Sequence, residues 1–313
     1  MNGKIWFHAD DFGVTAQQAQ KILACHREGV LNSISILPNT PSLGEALEIL
    51  DKEDPKAEIR RVLHLNFVEG KPLAGADKVP LLVDKEGFFN KSFIRLFLWN
   101  ITKISTKRNR LKQQIKLEIA AQLRAVTSQY NYRITAIDSH QHYHMIPIVL
   151  DSLLEVLSEQ EFEHLRIRQI RIPCDPVSPL VHAQGMPKRV PVMNLVKWCI
   201  LKIYAGRSQV LLKSRGIQSP VFFGIFFTCE MKWEVVKTLL PAYQSYAGRK
   251  ASELELMFHP GNLTAAYELL DARNKELADF YMSDNRFYEA ECLKLLGVNS
   301  KDTYNSFLEE LNS

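Results

Sequence analysis

The chain has 313 residues, of which 46% are hydrophobic and 24% are charged, and its formal net charge at pH 7 is +4. These proportions are typical of a globular protein and exclude a disordered chain, while the small net charge argues against nucleic-acid binding. No run approaches the roughly 20 apolar residues that a transmembrane helix needs. We expect a single domain over residues 1–313, because one α/β barrel commonly has this length.

The cysteines and the start of the chain bear on the cellular compartment. The sequence contains no Cys-x-x-Cys pair, and its five cysteines are scattered: Cys25, Cys174, Cys199, Cys229 and Cys292. An odd, unpaired set of this kind is typical of reduced thiols rather than of a disulfide framework. Residues 1–7 lead directly into a predicted strand and leave no room for the apolar region of a signal peptide. We therefore expect a cytoplasmic protein.

Short apolar runs alternate with amphipathic segments along the whole chain. Seven runs are predicted strands: residues 4–9, 33–37, 61–67, 135–138, 169–173, 221–227 and 255–258. Several are apolar almost without interruption, which is typical of parallel strands buried on both faces. The alternation predicts an α/β fold with a (β/α) barrel-like arrangement of parallel strands, a distorted TIM-type barrel being one form of it.

The predicted helices fall between these strands. Thr15 with Gln18 three residues later reads as a capping box, and Gly29 marks the stop of that helix. Residues 111–130 carry apolar side chains at steps of three and four, which predicts one long helix with a buried face. The stretch 174–189 is rich in proline and glycine and is predicted to be a loop.

Two adjacent acids, Asp10 and Asp11, end the first predicted strand within residues 9–13 (ADDFG). Adjacent carboxylates repel each other, so burying both requires a cation or a shared proton. On an extended strand the two side chains would point to opposite faces. A local kink, which Gly13 makes less costly, is needed to bring both to one site.

Histidines follow several of the other predicted strands. His64, His140 and His259 each lie within or just after a strand, and His142 and His144 continue the run after His140. In parallel α/β barrels the catalytic groups gather at the carboxyl ends of the strands. Strand geometry would put the three histidines of the run on one face, whereas helix geometry would pair only the first and third. Spacing alone leaves open which of them is functional, and the roles of His142 and His144 stay open.

Several short motifs occur in order along nearly the whole chain. They are residues 9–13 (ADDFG), 63–65 (LHL) followed by 69–72 (EGKP), 138–140 (DSH) and 259–261 (HPG). In sequence and spacing the chain resembles the YdjC-like carbohydrate deacetylases, which include chitooligosaccharide deacetylases and a deacetylase of hopanoid biosynthesis. The resemblance implies a (β/α) barrel-like fold and hydrolysis of an N-acetyl group.

The resemblance also implies roles for individual residues. The ligands of one divalent metal would be Asp11, His64 and His140, with Mg or Zn as the candidate ions. Asp10 would be the general base, and His259 would be the acid on the opposite side of the scissile bond. The family's histidine run has a further histidine where this chain has a glutamine at position 141.

The chemistry of amide hydrolysis agrees with this set. A divalent metal lowers the pKa of its bound water and polarises the acyl oxygen, a carboxylate takes the proton of that water, and a histidine protonates the departing amine. The expected substrate is an N-acetylglucosamine-type unit of a short oligosaccharide or glycoconjugate. Two alternatives remain: another barrel metallohydrolase, such as a phosphoesterase or amidohydrolase with two metals, and a carbohydrate-binding protein without activity.

Two apolar stretches have no assigned role. One is an aromatic group near residues 88–99, and the other is residues 192–204, which are apolar almost all round. Each is interpreted as part of the core or as the contact of a homodimer. The functional alternative is an apolar surface that binds sugar rings or a lipid-linked substrate. The expected partner is thus an N-acetylated sugar, with no nucleic acid and no transmembrane segment.

Overall fold

The computed structural model describes residues 4–100, 105–183, 185, 189–264 and 275–298. Its strands are β1 Ile5–Phe12, β2 Ser33–Ile36, β3 Arg60–Leu65, β4 Ala136–Ser139, β5 Gln169–Ile170, β6 Val221–Phe223 and β7 Leu254–Phe258. All seven predicted strands are present, although β5 and β6 are shorter than their apolar runs. The predicted α/β class is therefore confirmed.

Helices occupy the connections between the strands. Within the described residues they are α1 Ala16–Arg27, α2 Leu43–Glu53, α3 Phe93–Asn100, α4 Ser105–Arg124, α5 Pro147–Val156, α6 Val177–His182, α7 Val192–Ser214, α8 Trp233–Arg249, α9 Lys275–Tyr281 and α10 Asp284–Gly297. A π-helical turn, Ala125–Gln129, extends α4, and a 3₁₀ segment, His140–Met145, follows β4.

The strands form one parallel sheet in the order β5-β4-β3-β2-β1-β7-β6, so that β1 lies at its centre between β2 and β7. The sheet curls into a half-barrel with the helices around it, which confirms the predicted barrel-like arrangement of parallel strands. All strands run in the same direction, so every carboxyl end lies at the same edge of the sheet. Residues distant in sequence meet there.

The edge strands β5 and β6 come together through contacts other than a continuous ladder. At one end, Gln169 forms an isolated parallel bridge with Gln218. At the other end, the buried carboxylate of Asp175 accepts backbone hydrogen bonds from Gly224 and Ile225, each at 2.8 Å. We call these two contacts the seam of the barrel.

The predicted features of the helices are borne out with changes in detail. Thr15 caps α1 by accepting a hydrogen bond from the Gln18 amide, as the capping box predicts. The helix ends two residues before Gly29, and a Cβ at Gly29 would lie only 2.4 Å from the Leu293 carbonyl oxygen. Gly29 is thus required for close packing against α10. The apolar face of α4 is fully buried, as predicted.

One predicted loop is partly helical. Within the stretch 174–189, residues Val177–His182 form α6, while positions 184 and 186–188 lie outside the described residues. Residues 192–204 are the first half of α7, a helix of 23 residues. No helix in the described part of the chain combines the length and apolar character needed to cross a membrane.

Candidate active site and metal centre

The carboxyl edge of the sheet gathers every residue for which the resemblance implies a role. Asp10 and Asp11 end β1, His64 lies near the end of β3, and His140 and His259 follow β4 and β7. All five side chains are buried, with at most 8% of each residue exposed. Burial of this many ionisable groups requires that they neutralise one another or bind a cation.

The backbone of β1 is distorted at the two acids. The register with β2 breaks between Ala9 and Phe12, and Asp11 adopts a φ of 64°. This left-handed conformation costs a side-chain-bearing residue about 1 to 2 kcal/mol. Because of it, both adjacent carboxylates are buried at the same edge. The kink that the sequence requires is therefore present, at Asp11 itself.

Asp11, His64 and His140 converge into one cluster, with a ligand atom of each within 4.8 Å of the others. Asp11 Oδ1 lies 2.9 Å from His140 Nδ1 and 3.4 Å from His64 Nε2. The Nε2 atom of His64 is buried and has no hydrogen-bond partner. Two imidazoles and a carboxylate with an unpartnered buried nitrogen fit a divalent metal, and this donor set suits zinc as well as other divalent ions.

The charges around this cluster favour a cation. Burial alone would lower the pKa of His64, but the carboxylates of Asp138 and Asp11 raise that pKa to about 10. In the same way Asp11 and Glu69 raise the pKa of His140 to about 9 against the effect of burial. The pocket therefore stabilises positive charge, whether carried by protons or by a metal ion.

A second carboxylate orients His64. Asp138 Oδ1 lies 2.7 Å from His64 Nδ1, which leaves Nε2 directed at Asp11. Ser35 donates a hydrogen bond to the other oxygen of Asp138 at 2.5 Å. A carboxylate behind a histidine that faces a metal fixes the tautomer and orientation of the ring. Asp138 is therefore placed to hold the imidazole.

Asp10 has a different environment from its neighbour. Both of its oxygens accept hydrogen bonds from Arg171, at 2.8 Å each, and Arg171 also contacts Asp138 at 2.7 Å and Glu255 at 2.5 Å. Burial acts to raise the pKa of Asp10, but the Arg171 charge and His8 hold it well below its usual value. Asp10 is thus a fixed carboxylate at neutral pH.

His8, Asp10 and Asp138 form a second group whose spacing would allow a metal. However, the guanidinium of Arg171 already bonds to both carboxylates of this group. The two nitrogens of His8 lie 2.7 Å from the hydroxyls of Ser33 and Ser35. The Arg171 guanidinium already neutralises the two carboxylates, and both His8 nitrogens have partners, so this group does not need a metal ion.

His259 lies close to Asp10, with its Nε2 4.0 Å from Asp10 Oδ2. Its backbone amide donates to Glu289, and Phe280 packs edge-on against the ring. Burial lowers the pKa of His259 to about 4, and burial raises the pKa of Glu289 to about 7. The imidazole is therefore neutral at pH 7 and must take up a proton before it can donate one.

The histidine run follows neither strand nor helix geometry. Gln141 and His142 both have positive φ, 48° and 61°, so the three rings point in different directions. His144 lies between Ser139 Oγ at 2.5 Å and the Arg171 carbonyl oxygen at 2.7 Å, which is a structural position. His142 is buried and its Nδ1 has no hydrogen-bond partner.

The comparisons with known proteins agree with this arrangement. A family model described as YdjC-like protein matches residues 4–294. The chain belongs to this family. Curated relatives of this YdjC-like chain are named carbohydrate deacetylase. One from Thermoanaerobacter pseudethanolicus is 30% identical over 48% of this chain and 54% of its own length, and one from Xenopus laevis is 26% identical over 93% and 91%.

A solved structure shows the same fold. The crystal structure of an Enterococcus faecalis protein, proposed to cleave cellobiose phosphate, superimposes with a TM-score of 0.60. The two share 20% sequence identity, and the match covers 99% of the YdjC-like chain and 95% of the other. At this identity the likeness concerns the fold alone.

Several residues of the site escaped the sequence reasoning. Arg171 had one available signal, since it is the only charged residue in the run 169–173 of the YdjC-like chain, which the sequence predicts as a strand. Arg286 of α10 contacts Asp11 Oδ2 at 3.2 Å, and nothing in its local sequence indicates this. Lys197 of α7 is half-buried, and after burial its charge is the largest factor that lowers the pKa of His142.

Proposed function

We propose that this chain is a metal-dependent carbohydrate N-deacetylase that removes the acetyl group from an N-acetylglucosamine-type unit. One observation carries the proposal: an unpartnered buried nitrogen, His64 Nε2, faces Asp11 and His140, beside a carboxylate fixed by Arg171. The relatives named carbohydrate deacetylase support the sugar substrate. Short oligosaccharides and glycoconjugates are the substrates that we favour.

In this proposal Asp11, His64 and His140 hold one divalent ion. When bound, such an ion polarises the acyl oxygen and increases the acidity of water in the site. Asp138 keeps the His64 ring oriented, as the 2.7 Å contact with its Nδ1 indicates. Magnesium and zinc are the candidate ions, and the nitrogen ligands suit zinc.

Asp10 acts as the general base. Its lowered pKa keeps it ionised at neutral pH, so that a carboxylate is present to accept a proton from the attacking water, and the same lowering makes that carboxylate a weaker base. The bidentate contact with Arg171 fixes the direction of its oxygens. His259, with its Nε2 4.0 Å from Asp10, receives a proton and passes it to the leaving amine.

The test is acetate release by metal-loaded protein from N,N′-diacetylchitobiose, compared with simple N-acetylated amino acids. We expect faster turnover of the sugar. Faster turnover of the amino-acid amides would mean that the sugar assignment is wrong even if the metal centre is right. Absence of turnover on both, with the sugar still bound, would favour a binding protein.

A metal count separates the deacetylase from a two-metal hydrolase. One ion for each chain is expected, because Arg171 already provides the positive charge for Asp10 and Asp138. Elemental analysis of the loaded protein gives the ratio. A ratio of two, with phosphate ester hydrolysis exceeding acetate release, would support the phosphoesterase alternative instead.

A further inference from the structure

Exposed apolar side chains are concentrated on three helices, α3, α6 and α7. Of the fourteen large apolar residues that are exposed in the described part of the chain, ten belong to these helices. Six are on α7: Val192, Met193, Leu195, Val196, Ile203 and Val210. Exposed apolar side chains concentrated in this way mark an interaction site. We call the exposed surface of α3, α6 and α7 the apolar-basic face.

The outward side of α7 carries a regular apolar stripe. Val196, Ile203 and Val210 recur every seven residues and are 47%, 69% and 72% exposed. The opposite side of the helix is buried in the core through Leu201 and Leu212. Packing within this chain therefore explains only one side of α7, and the stripe on the other side has no partner in the described structure.

The same helices lie in the two acid-free parts of the sequence. Residues 87–117 contain eight lysines and arginines, residues 176–229 contain seven, and neither stretch contains an aspartate or a glutamate. The whole chain has a net charge of only +4, so the remainder is acidic. The positive charge is thus concentrated where the apolar side chains are exposed.

Basic side chains flank the apolar stripe. Lys202 and Lys213 of α7 are exposed, and neither has a carboxylate partner among the described residues. On the other flank Arg207 pairs with Asp151 of α5 at 2.7 Å. On α3, Arg95 is exposed and stacks over Trp99 at 5.2 Å. The positive charge on one flank of the stripe is therefore available to an outside partner.

Two of these helices, α3 and α7, lie near the proposed site. Phe97 of α3 packs against Tyr204 of α7, with ring centroids 5.7 Å apart. Phe93 of α3 packs against Tyr143, in the segment that directly follows His140. Trp198 of α7 donates to the Asp175 carbonyl oxygen at 2.9 Å, just after β5. The apolar-basic face is therefore carried by the carboxyl edge of the barrel.

We propose that the apolar-basic face docks onto the surface of a lipid bilayer that contains anionic phospholipid. A bilayer interface takes up apolar side chains and attracts the lysines that flank them. A second copy of this chain fits less well, because a two-fold interface would bring two acid-free basic surfaces together. The docking concerns a surface outside the proposed catalytic residues and does not depend on the deacetylase activity.

The test is flotation of the full chain with vesicles of phosphatidylcholine, with and without phosphatidylglycerol. We expect co-flotation only with the anionic vesicles, weakened by high salt because screening reduces the lysine contribution. Val196→Asp should lower the partition coefficient about tenfold, because it removes an apolar contact and adds a negative charge. Leu117→Asp on α4 is the matched control, since Leu117 is 48% exposed and lies outside the face.

Thermal unfolding of both variants establishes that they are folded, and Ile203→Asp provides a second variant on the stripe. Failure of the unmodified chain to float with anionic vesicles would overturn the proposal. An equal loss in Val196→Asp and Leu117→Asp would overturn it too, because the face would then not be the contact. Self-association without lipid in analytical ultracentrifugation, abolished by Val196→Asp, would assign the face to a second copy instead.

Discussion

Asp10 and Asp11 are neighbours in sequence, yet their carboxylates have different environments. Asp10 has both oxygens bound by the guanidinium of Arg171. Asp11 has one oxygen on Arg286, and the other faces two imidazoles, each of which has a buried nitrogen without a hydrogen-bond partner. The cation beside Asp10 is the side chain of Arg171, whereas the group around Asp11 is able to accept a cation from solution. The left-handed backbone at Asp11 separates them.

Substitution of Asp11 should have the largest effect on activity. Asp11→Asn removes the anionic member of the proposed ligand set, so we expect loss of bound metal and a fall in kcat of about 10,000-fold. Chelation of the unmodified protein should have the same effect on activity, while the far-ultraviolet circular dichroism stays unchanged. Turnover that survives complete removal of the metal would exclude the metal mechanism.

Substitution of Asp10 should lower turnover without lowering the metal content. Asp10→Asn keeps a hydrogen-bonding side chain near Arg171 but removes the proposed base, so we expect normal metal content and a fall in kcat of about 1,000-fold. Elemental analysis beside steady-state kinetics measures both quantities. If Asp10→Asn and Asp11→Asn lose metal to the same extent, the two carboxylates do not have separate roles.

Removing the built-in cation should affect stability as well as activity. Arg171→Met removes a buried positive charge that contacts Asp10, Asp138 and Glu255, so the free energy of unfolding should fall by about 3 kcal/mol or more. Arg207→Met, which breaks an exposed pair with Asp151, is the control and should cost less than about 1 kcal/mol. Urea unfolding measures both. An equal fall in the free energy of unfolding for both variants would show that the buried ion pairs of Arg171 stabilise the fold no more than an exposed pair does.

We expect the smallest effect from substitution of Asp138, which lies between the Asp10 and Asp11 environments. Asp138 contacts both His64 and Arg171, so Asp138→Asn weakens the orientation of the ligand without removing it. We expect metal affinity to fall by about 10- to 100-fold. Competition with a chromogenic chelator gives the affinity. A loss as large as that of His64→Ala would make Asp138 a ligand in its own right.

Most of the fold was predictable because buried parallel strands are nearly continuous apolar runs, and those runs stand out in the sequence. The ends of the strands then indicated the position of Asp10, Asp11 and His64. The pairing of Arg171 with Asp10 was not predictable, because it joins residues 161 positions apart. The directions of the three histidines depend on positive φ at positions 141 and 142, which the residue types there do not require.

The seam of the barrel has a consequence for its motions. Every other neighbouring pair of strands shares a ladder of backbone hydrogen bonds, whereas β5 and β6 are joined by the Gln169–Gln218 bridge and by the Asp175 carboxylate. Fewer backbone bonds hold these edges, so the seam should open locally at a lower free energy than the centre of the sheet. Amide hydrogen exchange should therefore be faster at Ile170 and Gly224 than at Phe7 and Leu256, and Asp175→Asn should widen that difference.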